Sequence, residues 1–261
     1  MERESLGVVA AMPQEIAPLL RRLQGYKRER VDRFNLYRFA CQAVPVVLIE
    51  SGMGPAHAEA ATEALIALAA PRAIVNFGFA GGVAPGLAVG ELVLAERVYT
   101  LERGRVTEAP RPDAGLGALF FDACRGACFT LHRGCFITAG GIMNKGALAS
   151  SLGAGITNPV LEMETAAVLR AAERAGIPVL ALRGVSDPAN EALGFRIEEL
   201  CDPQLNISVA RVLGCLARKP YLIPQLVRLA GNSKKAGRSL ALGVGLALQA
   251  LAEQRKIGAR G

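Results

Sequence analysis

The sequence lacks several features that mark common classes of protein. It has no tryptophan and only two histidines among its 261 residues. No apolar stretch reaches the length needed to cross a membrane. The first five residues, MERES, are charged and do not begin the apolar segment of a signal peptide. We therefore expect a soluble, cytoplasmic protein.

Two nucleotide-binding motifs are also missing. The glycine-rich segments GMGPAH and GFAGG both lack the G-x-G-x-x-G spacing, and neither leads into a Walker A lysine. A nicotinamide-dependent enzyme and a P-loop NTPase are therefore not predicted, and no organic cofactor is expected. With so few histidines, no convincing Ser-His-Asp or Cys-His arrangement is present either.

The cysteines do not form a metal-binding pattern. Six are scattered along the chain, and one cluster combines Cys124, Cys128, His132 and Cys135. Structural zinc sites usually pair their ligands at C-x2-C spacing on a turn, which this cluster lacks. We therefore predict reduced thiols in a cytosolic protein and no metal site.

The positive charge is concentrated at the C-terminus. The net charge is +7, yet residues 218–261 contain nine Lys or Arg and a single acidic residue, Glu253. The rest of the chain is therefore close to neutral, and a nucleic-acid partner is not indicated. We predict a catalytic domain over residues 1–217 and a basic helical extension over residues 218–261. This extension either packs on the protein or lies on an anionic membrane surface.

Apolar strands alternate with amphipathic or alanine-rich helices along the chain. This alternation, together with a hairpin formed by NLYRFACQ and VPVVLIE, predicts a three-layer α/β/α fold with a mixed central β-sheet. Strands are expected at residues 6–12, 73–77, 90–100, 135–139 and 177–187. Helices are expected at residues 13–23, 55–70, 115–127 and 161–176.

Ionisable residues occur where several of these strands end, which is where α/β folds bind ligands. They are Glu15, Glu164, Arg183 and Asp187. Arg183 interrupts the apolar strand VLALRGV, and a buried arginine needs an anionic partner. Structural roles are the alternative, with Glu164 as a first-turn acid and Asp187 as a helix cap. Together the four residues suggest acid–base chemistry on a hydroxyl-rich substrate.

A set of motifs resembles one known family. AAMPQE, ESGMGPAHAEAAT, NFGFAGGVAPGLAVGELVLAERV, LEMETAAV and LRGVSDPAN occur in the order typical of the nucleoside phosphorylase superfamily. The likeness spans roughly residues 6–195 and is greatest to the 5′-methylthioadenosine/S-adenosylhomocysteine nucleosidase branch. The tail segment RKPYLIPQLVRLAGNSKKAG resembles the hopanoid-associated members, which are thought to release adenine from an adenosylated lipid.

The resemblance implies a role for each strand-end residue. Asp187 would protonate N7 of the departing purine, and Glu164 would bind the ribose hydroxyls beside Met163. Glu15 would orient or deprotonate the attacking water, with Arg183 beside it. This chemistry is physically reasonable, because carboxylates stabilise an oxocarbenium-like sugar and an acid assists a poor leaving group.

The base and 5′ pocket is implied around Gly140, Met143 and Phe79. Phosphorylases of the superfamily hold phosphate with an arginine and a serine or threonine, where this chain has Asn76 and Phe79. Water is therefore the expected nucleophile. In the segment IVNFGFAGG, the glycine-rich part over residues 77–82 is expected to be a turn after the strand at residues 73–77. Phe79 within this turn either fills the core or forms an apolar wall of the pocket.

The expected function is hydrolysis of an adenosyl-type purine nucleoside. Adenosylhopane is one substrate that the resemblance of the tail suggests. A phosphate-dependent phosphorylase is one alternative, and a catalytically weak nucleoside-binding, membrane-associated module is another. The partners expected are the nucleoside, a membrane surface contacted by the tail, and a second copy of the chain in a homodimer or larger homo-oligomer.

Overall fold

Ten strands and six helices make up the part of the chain that the computed structural model describes, residues 4–141, 145–153, 155–189 and 223–258. The strands are β1 (Leu6–Ala10), β2 (Lys27–Val31), β3 (Phe34–Cys41), β4 (Val44–Glu50), β5 (Ala73–Gly82), β6 (Leu92–Glu102), β7 (Arg105–Glu108), β8 (Leu131–Ala139), β9 (Val160–Glu162) and β10 (Val179–Asp187). The helices are α1 (Pro13–Leu20), α2 (Pro55–Ala69), α3 (Ala114–Ala123), α4 (Lys145–Ser151), α5 (Thr165–Arg174) and α6 (Ile223–Gly258).

All ten strands belong to one mixed sheet. Its main path runs β10-β6-β8-β9-β5-β1-β4-β3-β2, and β7 is added beside β6. Strand β10 also pairs with β5. This pairing closes part of the sheet into a ring of five strands, β5, β10, β6, β8 and β9. Strands β4, β1, β5 and β10 are mutually parallel. Their carboxyl ends therefore share one edge, which is where the candidate site lies.

The sheet has an apolar core on each face, which confirms the three-layer prediction. One core contains Ile16 of α1, Phe120 of α3 and Leu240 of α6. The other contains Leu65 of α2 and Val168 of α5. Near-continuous apolar strands such as β1, which is buried at every residue, are what a sheet covered on both faces requires.

The structure corrects three details of the predicted elements. The glycine-rich segment is not a turn, because β5 continues through it to Gly82. Strand β10 pairs along β5 as far as Gly81, and β9 adds pairing at Gly81 and Gly82, so backbone hydrogen bonds keep the segment extended. Helix α5 begins only at Thr165, after β9, and β2 adds an edge strand that the pattern did not indicate.

Helix α6, the last of the described helices, packs against the rest of the protein. From Ala236 onwards α6 contributes buried residues to the core shared with α1 and β10. Its apolar face is therefore covered by protein over that half. The predicted boundary between residues 217 and 218 lies outside the described residues. None of the described helices is long and apolar enough to cross a membrane.

Small residues let α6 approach the sheet closely. A Cβ atom on Gly243 would lie 2.7 Å from Cδ1 of Leu92 and 3.0 Å from Cδ2 of Leu182. A Cβ on Gly184 of β10 would lie 2.8 Å from Cγ of Leu240. These distances are shorter than normal carbon contacts, so any side chain here would push the helix and the sheet apart.

Two glycines of α6 provide a matched test of this packing. We expect Gly243→Ala to lower the free energy of unfolding by about 1 kcal/mol or more, because overpacking outweighs the gain in helix propensity. Gly245→Ala should raise it by roughly 0.5–1 kcal/mol, because no atom lies within 4 Å of the new Cβ. Urea denaturation measures both, and equal effects of the two substitutions would contradict the close packing of α6.

Candidate active site

Three of the predicted ionisable residues lie on or just after the parallel strands β1 and β10, and the fourth follows β9, which pairs antiparallel with the end of β5. Glu15 follows β1 in the first turn of α1, Arg183 lies within β10, and Asp187 ends it. Glu164 follows β9 and precedes α5. Arg183 interacts electrostatically with both Glu15 and Glu164, so these three groups form one cluster.

Backbone N–H groups hold the carboxylate of Glu15. Its Oε2 accepts hydrogen bonds from the N–H groups of Ala11 (3.0 Å) and Met12 (2.9 Å). Its Oε1 accepts one from the N–H of Phe79 at 2.8 Å. The residue is only 3 % exposed, and this burial raises the pKa of Glu15, although the hydrogen bonds and the Arg183 charge act in the opposite direction.

A buried ion pair lies beneath the site. Arg183 Nη2 is 2.6 Å from Glu162 Oε2, and the two side chains are 1 % and 0 % exposed. The same guanidinium nitrogen donates to Asn76 Oδ1 (3.0 Å) and to the hydroxyl of Thr165 (2.7 Å). Burial opposes ionisation of Glu162, but the Arg183 charge and the hydroxyls of Thr138 and Thr165 more than compensate and lower its pKa.

Glu164 is in a contrasting environment. Its Oε1 accepts a hydrogen bond from the N–H of Gly54 at 2.8 Å. Burial and the neighbouring negative charge of Glu162 raise the pKa of Glu164 to about 8. Two glutamates separated by one residue are therefore in different protonation states near neutral pH. Such a division is frequent in sites that carry out acid–base chemistry.

Asp187 is the last residue of β10. Its Oδ1 accepts from the hydroxyl of Ser186 at 2.7 Å, and its Oδ2 forms an ion pair with Lys145. The side chain is 23 % exposed and the lysine 11 %. A Cβ atom at Gly81 would lie only 2.7 Å from Asp187 Oδ2, so a side chain at this position of β5 would crowd the carboxyl group.

Gly78 leaves space for the carboxyl group of Glu15, as Gly81 does for that of Asp187. A Cβ atom there would lie 2.7 Å from Glu15 Oε1. The glycines of the segment therefore make room for two carboxyl groups beside an extended strand.

The remaining predicted site residues are distributed around this edge. Met163 is half-buried, and its N–H donates to Glu164 Oε2 at 3.3 Å. Gly140 is exposed just after β8. The Phe79 side chain packs with the core on the α6 side, and its Cζ is 3.6 Å from where a Cβ of Gly237 would lie. Met143 lies outside the described residues.

Sequence reasoning missed several members of the site. Asn76 belongs to the network around Arg183, and its Nδ2 donates to the carbonyl of Val9 at 3.2 Å. Lys145, which pairs with Asp187, lies two residues after Met143 in the sequence, so its closeness to the predicted pocket is the one signal for it. Glu162, two residues before Glu164, is the anionic partner that buried Arg183 requires.

The cysteine cluster does not resemble a metal site in the part of the chain that is described. Cys124 is half-buried, Cys128 exposed and Cys135 buried. His132 instead contacts Glu91, with 2.8 Å between Nε2 and Oε2. Within the described ranges, no group of three or more His, Cys, Asp or Glu side chains is arranged to hold a metal ion.

Comparison with known proteins identifies one family. The model of the phosphorylase superfamily matches residues 5–213. The 5′-methylthioadenosine/S-adenosylhomocysteine nucleosidase of Halalkalibacterium halodurans is 26 % identical over 226 residues, covering 82 % of this chain and 98 % of that protein.

Solved structures show the same fold. The 5′-methylthioadenosine/S-adenosylhomocysteine nucleosidase of Neisseria meningitidis, in complex with methylthio-immucillin-A, superposes with a TM-score of 0.72 at 21 % identity, covering 94 % of this chain and 99 % of that one. The futalosine hydrolase of Helicobacter pylori superposes with a TM-score of 0.72 at 15 % identity, covering 94 % and 97 %.

The raised pKa of Glu164 predicts a specific pH dependence of stability. Between its ordinary pKa of 4.5 and about 8, the folded protein binds a proton at Glu164 that the unfolded chain does not. The contribution of Glu164 to the free energy of unfolding is therefore largest below pH 4.5 and is lost as the pH rises through 8. Glu164→Gln cannot lose this proton, so its stability relative to the wild type should increase from pH 5 to 9.

Urea denaturation at intervals of one pH unit measures this difference. Glu173→Gln, an exposed change on the same helix α5, is the matched control and should show a constant difference. A constant difference for Glu164→Gln as well would show that Glu164 ionises normally.

Proposed function

The chain belongs to the phosphorylase superfamily, and on that premise we propose that it is a purine nucleosidase. It hydrolyses the N-ribosidic bond of an adenosyl-type nucleoside and releases adenine. The observation that carries this proposal is that Glu15 and Asp187 both lie against β5, where Gly78 and Gly81 leave room for their carboxyl groups, and that Glu164 interacts electrostatically with Glu15. By name, two of the relatives described above are 5′-methylthioadenosine/S-adenosylhomocysteine nucleosidases and the third is a futalosine hydrolase.

Each carboxyl group has surroundings that suit one step. Three N–H groups fix Glu15, so its carboxylate can orient a water molecule and accept its proton as the oxygen attacks C1′. Glu164 faces the ribose hydroxyls. Asp187 gives a proton to N7 of the purine as the glycosidic bond breaks, and the electron pair of that bond remains on the base. The carboxylates stabilise the positive charge that develops on the sugar.

Water is preferred to phosphate as the nucleophile because of two residues. The amide of Asn76 is already occupied, since its Oδ1 accepts from Arg183 and Thr165 and its Nδ2 donates to Val9. Phe79 offers no hydroxyl group. Neither residue therefore provides the cationic or hydroxyl contact that a bound phosphate needs.

Arg183 has an indirect role in this proposal. Its side chain is 1 % exposed and its Nη2 is engaged by Glu162, Asn76 and Thr165. It therefore acts as a positioning residue, whose charge reaches Glu15 and Glu164 through the protein. This refines the expectation that Arg183 lies beside the attacking water.

An adenosyl lipid such as adenosylhopane is the finer proposal for the substrate, and it rests on the resemblance of the tail. The family resemblance also leads us to propose a homodimer or larger assembly, acting in the cytoplasm. Light scattering would detect it as a multiple of the chain mass of 27.4 kDa.

One assay tests the reaction. The protein is incubated with 5′-methylthioadenosine, adenosine or an adenosyl lipid, with and without phosphate, and free adenine and the sugar product are measured. We expect adenine and a free sugar in the absence of phosphate. Asp187→Asn should reduce turnover by about 100-fold or more, the usual contribution of a general acid.

The alternatives give different outcomes in the same assay. Sugar 1-phosphate formed only in the presence of phosphate would indicate a phosphorylase instead. Binding of the nucleoside without release of adenine would indicate a catalytically weak binding module. Turnover by Asp187→Asn near the wild-type rate would show that another residue is the acid.

We also propose that the first half of α6 contacts an anionic membrane surface. Val227 is 66 % exposed there, and Lys234 and Arg238 are exposed cations on the same segment. The second half of α6 is excluded, because its apolar residues up to Ala252 already pack in the core. Apolar and basic side chains on one exposed segment are the usual combination for binding at a lipid surface.

Charge reversal tests this contact without removing a helix that the core requires. Lys234→Glu combined with Arg238→Glu should abolish co-sedimentation with vesicles that contain anionic lipid, and should leave hydrolysis of 5′-methylthioadenosine unchanged. The matched control is Lys27→Glu, at a lysine that is 78 % exposed on the edge strand β2. Equal sedimentation of all three proteins would remove the membrane contact from the proposal.

A further inference from the structure

Lys145 makes an unusually complete set of contacts with the end of β10. Its ammonium group forms an ion pair with Asp187 Oδ2 and donates to the carbonyl oxygens of Pro188 (2.7 Å) and Asp187 (3.5 Å). A lysine ammonium has three N–H donors, so each has an acceptor nearby. The lysine is the first residue of α4, and 42 positions separate it from Asp187 along the chain.

The fold makes space for this contact. A Cβ atom at Gly81 would lie 2.7 Å from Asp187 Oδ2 and 3.2 Å from Cδ of Lys145. Three elements, β5, β10 and α4, therefore meet at a point where a side chain at position 81 would crowd both members of the ion pair. Ser186 donates to the other oxygen of Asp187 at 2.7 Å, so both carboxyl oxygens have a fixed hydrogen-bond partner.

A surface ion pair of this kind would contribute little, but this one is largely buried. The lysine side chain is 11 % exposed, so solvent screens the charges less than it does for exposed pairs. The ammonium also contacts Asp187, which donates the proton in the proposed reaction. When an acid gives up its proton, a cation at hydrogen-bonding distance stabilises the carboxylate that remains.

We propose that Lys145 is a positioning residue for the general acid Asp187, and this rests on the nucleosidase function proposed above. Asp187 takes a proton from solvent before the reaction. As the bond from C1′ to the purine breaks, that proton moves to N7 and the electron pair of the bond stays on the purine. Asp187 is left as a carboxylate, and the Lys145 ammonium then holds it in the ion pair that the structure shows.

The test compares two leaving groups. Purine release from 5′-methylthioadenosine needs a proton, whereas 4-nitrophenolate leaves 4-nitrophenyl β-D-ribofuranoside without one. Lys145→Met keeps the side-chain length but removes the charge. We expect it to lower kcat for 5′-methylthioadenosine by about 10- to 100-fold, part of the effect of a general acid, and to change hydrolysis of the nitrophenyl riboside by less than about twofold.

Further variants separate charge from structure. Lys145→Arg keeps the positive charge and should recover part of the lost activity. Gly81→Ala keeps the lysine but crowds both groups, and should show the same selective loss even if Lys145→Met does not fold. Lys27→Met, an exposed lysine on the edge strand, is the matched control and should leave both rates unchanged.

The outcomes distinguish this proposal from the one on which it rests. Equal losses on both substrates, or full activity of Lys145→Met on 5′-methylthioadenosine, would overturn the role of Lys145. The proposed nucleosidase function would stand in either case. If wild type does not accept the nitrophenyl riboside, a loss confined to kcat supports the proposal and a change confined to KM overturns it. Absence of any hydrolysis by the wild type would overturn the proposed function, and the role of Lys145 with it.

Discussion

The ion pair between Arg183 and Glu162 is the interaction on which the rest of the site depends. Both side chains are buried, and a buried pair is favourable only when further hydrogen bonds satisfy its remaining donors and acceptors. Several of those bonds come from Asn76 of β5, Thr138 of β8 and Thr165 of α5, whereas Arg183 Nε has no hydrogen-bond partner among the described residues. The pair therefore joins β9 and β10 to three other elements at the same point, and removing either partner would leave an uncompensated charge beneath the site.

The same pair determines the charge of its neighbours. Glu162 Oε2 also accepts the N–H groups of Glu164 (3.0 Å) and Thr165 (2.8 Å), which fixes the turn that carries Glu164. Arg183 is paired with Glu162, and burial together with the negative charge of Glu162 raises the pKa of Glu164 to about 8. A site with several buried carboxyl groups and one buried cation can keep some of these groups neutral, as proton transfer between substrate and protein requires.

The layers and the approximate positions of most strands and helices could be predicted from the sequence, because hydrophobic period and helix-start signals are local. Glu15 and Asp187 could also be predicted, since parallel strands end at one edge of a sheet, whereas Glu164 reaches the site through β9, which is antiparallel to β5. The ion pair of Lys145 with Asp187 was not, because the two residues are far apart in sequence and meet only through strand pairing. The extended glycine segment was missed for the same reason: β9 and β10, which pair with it, come much later in the chain.

Strand alternation explains why glycine and phenylalanine are neighbours in β5. Successive residues of a strand face opposite sides of the sheet. Gly78 makes room for Glu15, whereas Phe77 and Phe79 on either side of it face the core that contains α6. The ring of Phe79 approaches Gly237 of α6, so a serine here would leave unfilled space below the helix. The packing of α6 thus accounts for an aromatic residue at this position, while its backbone N–H, which any residue would provide, holds the carboxylate of Glu15.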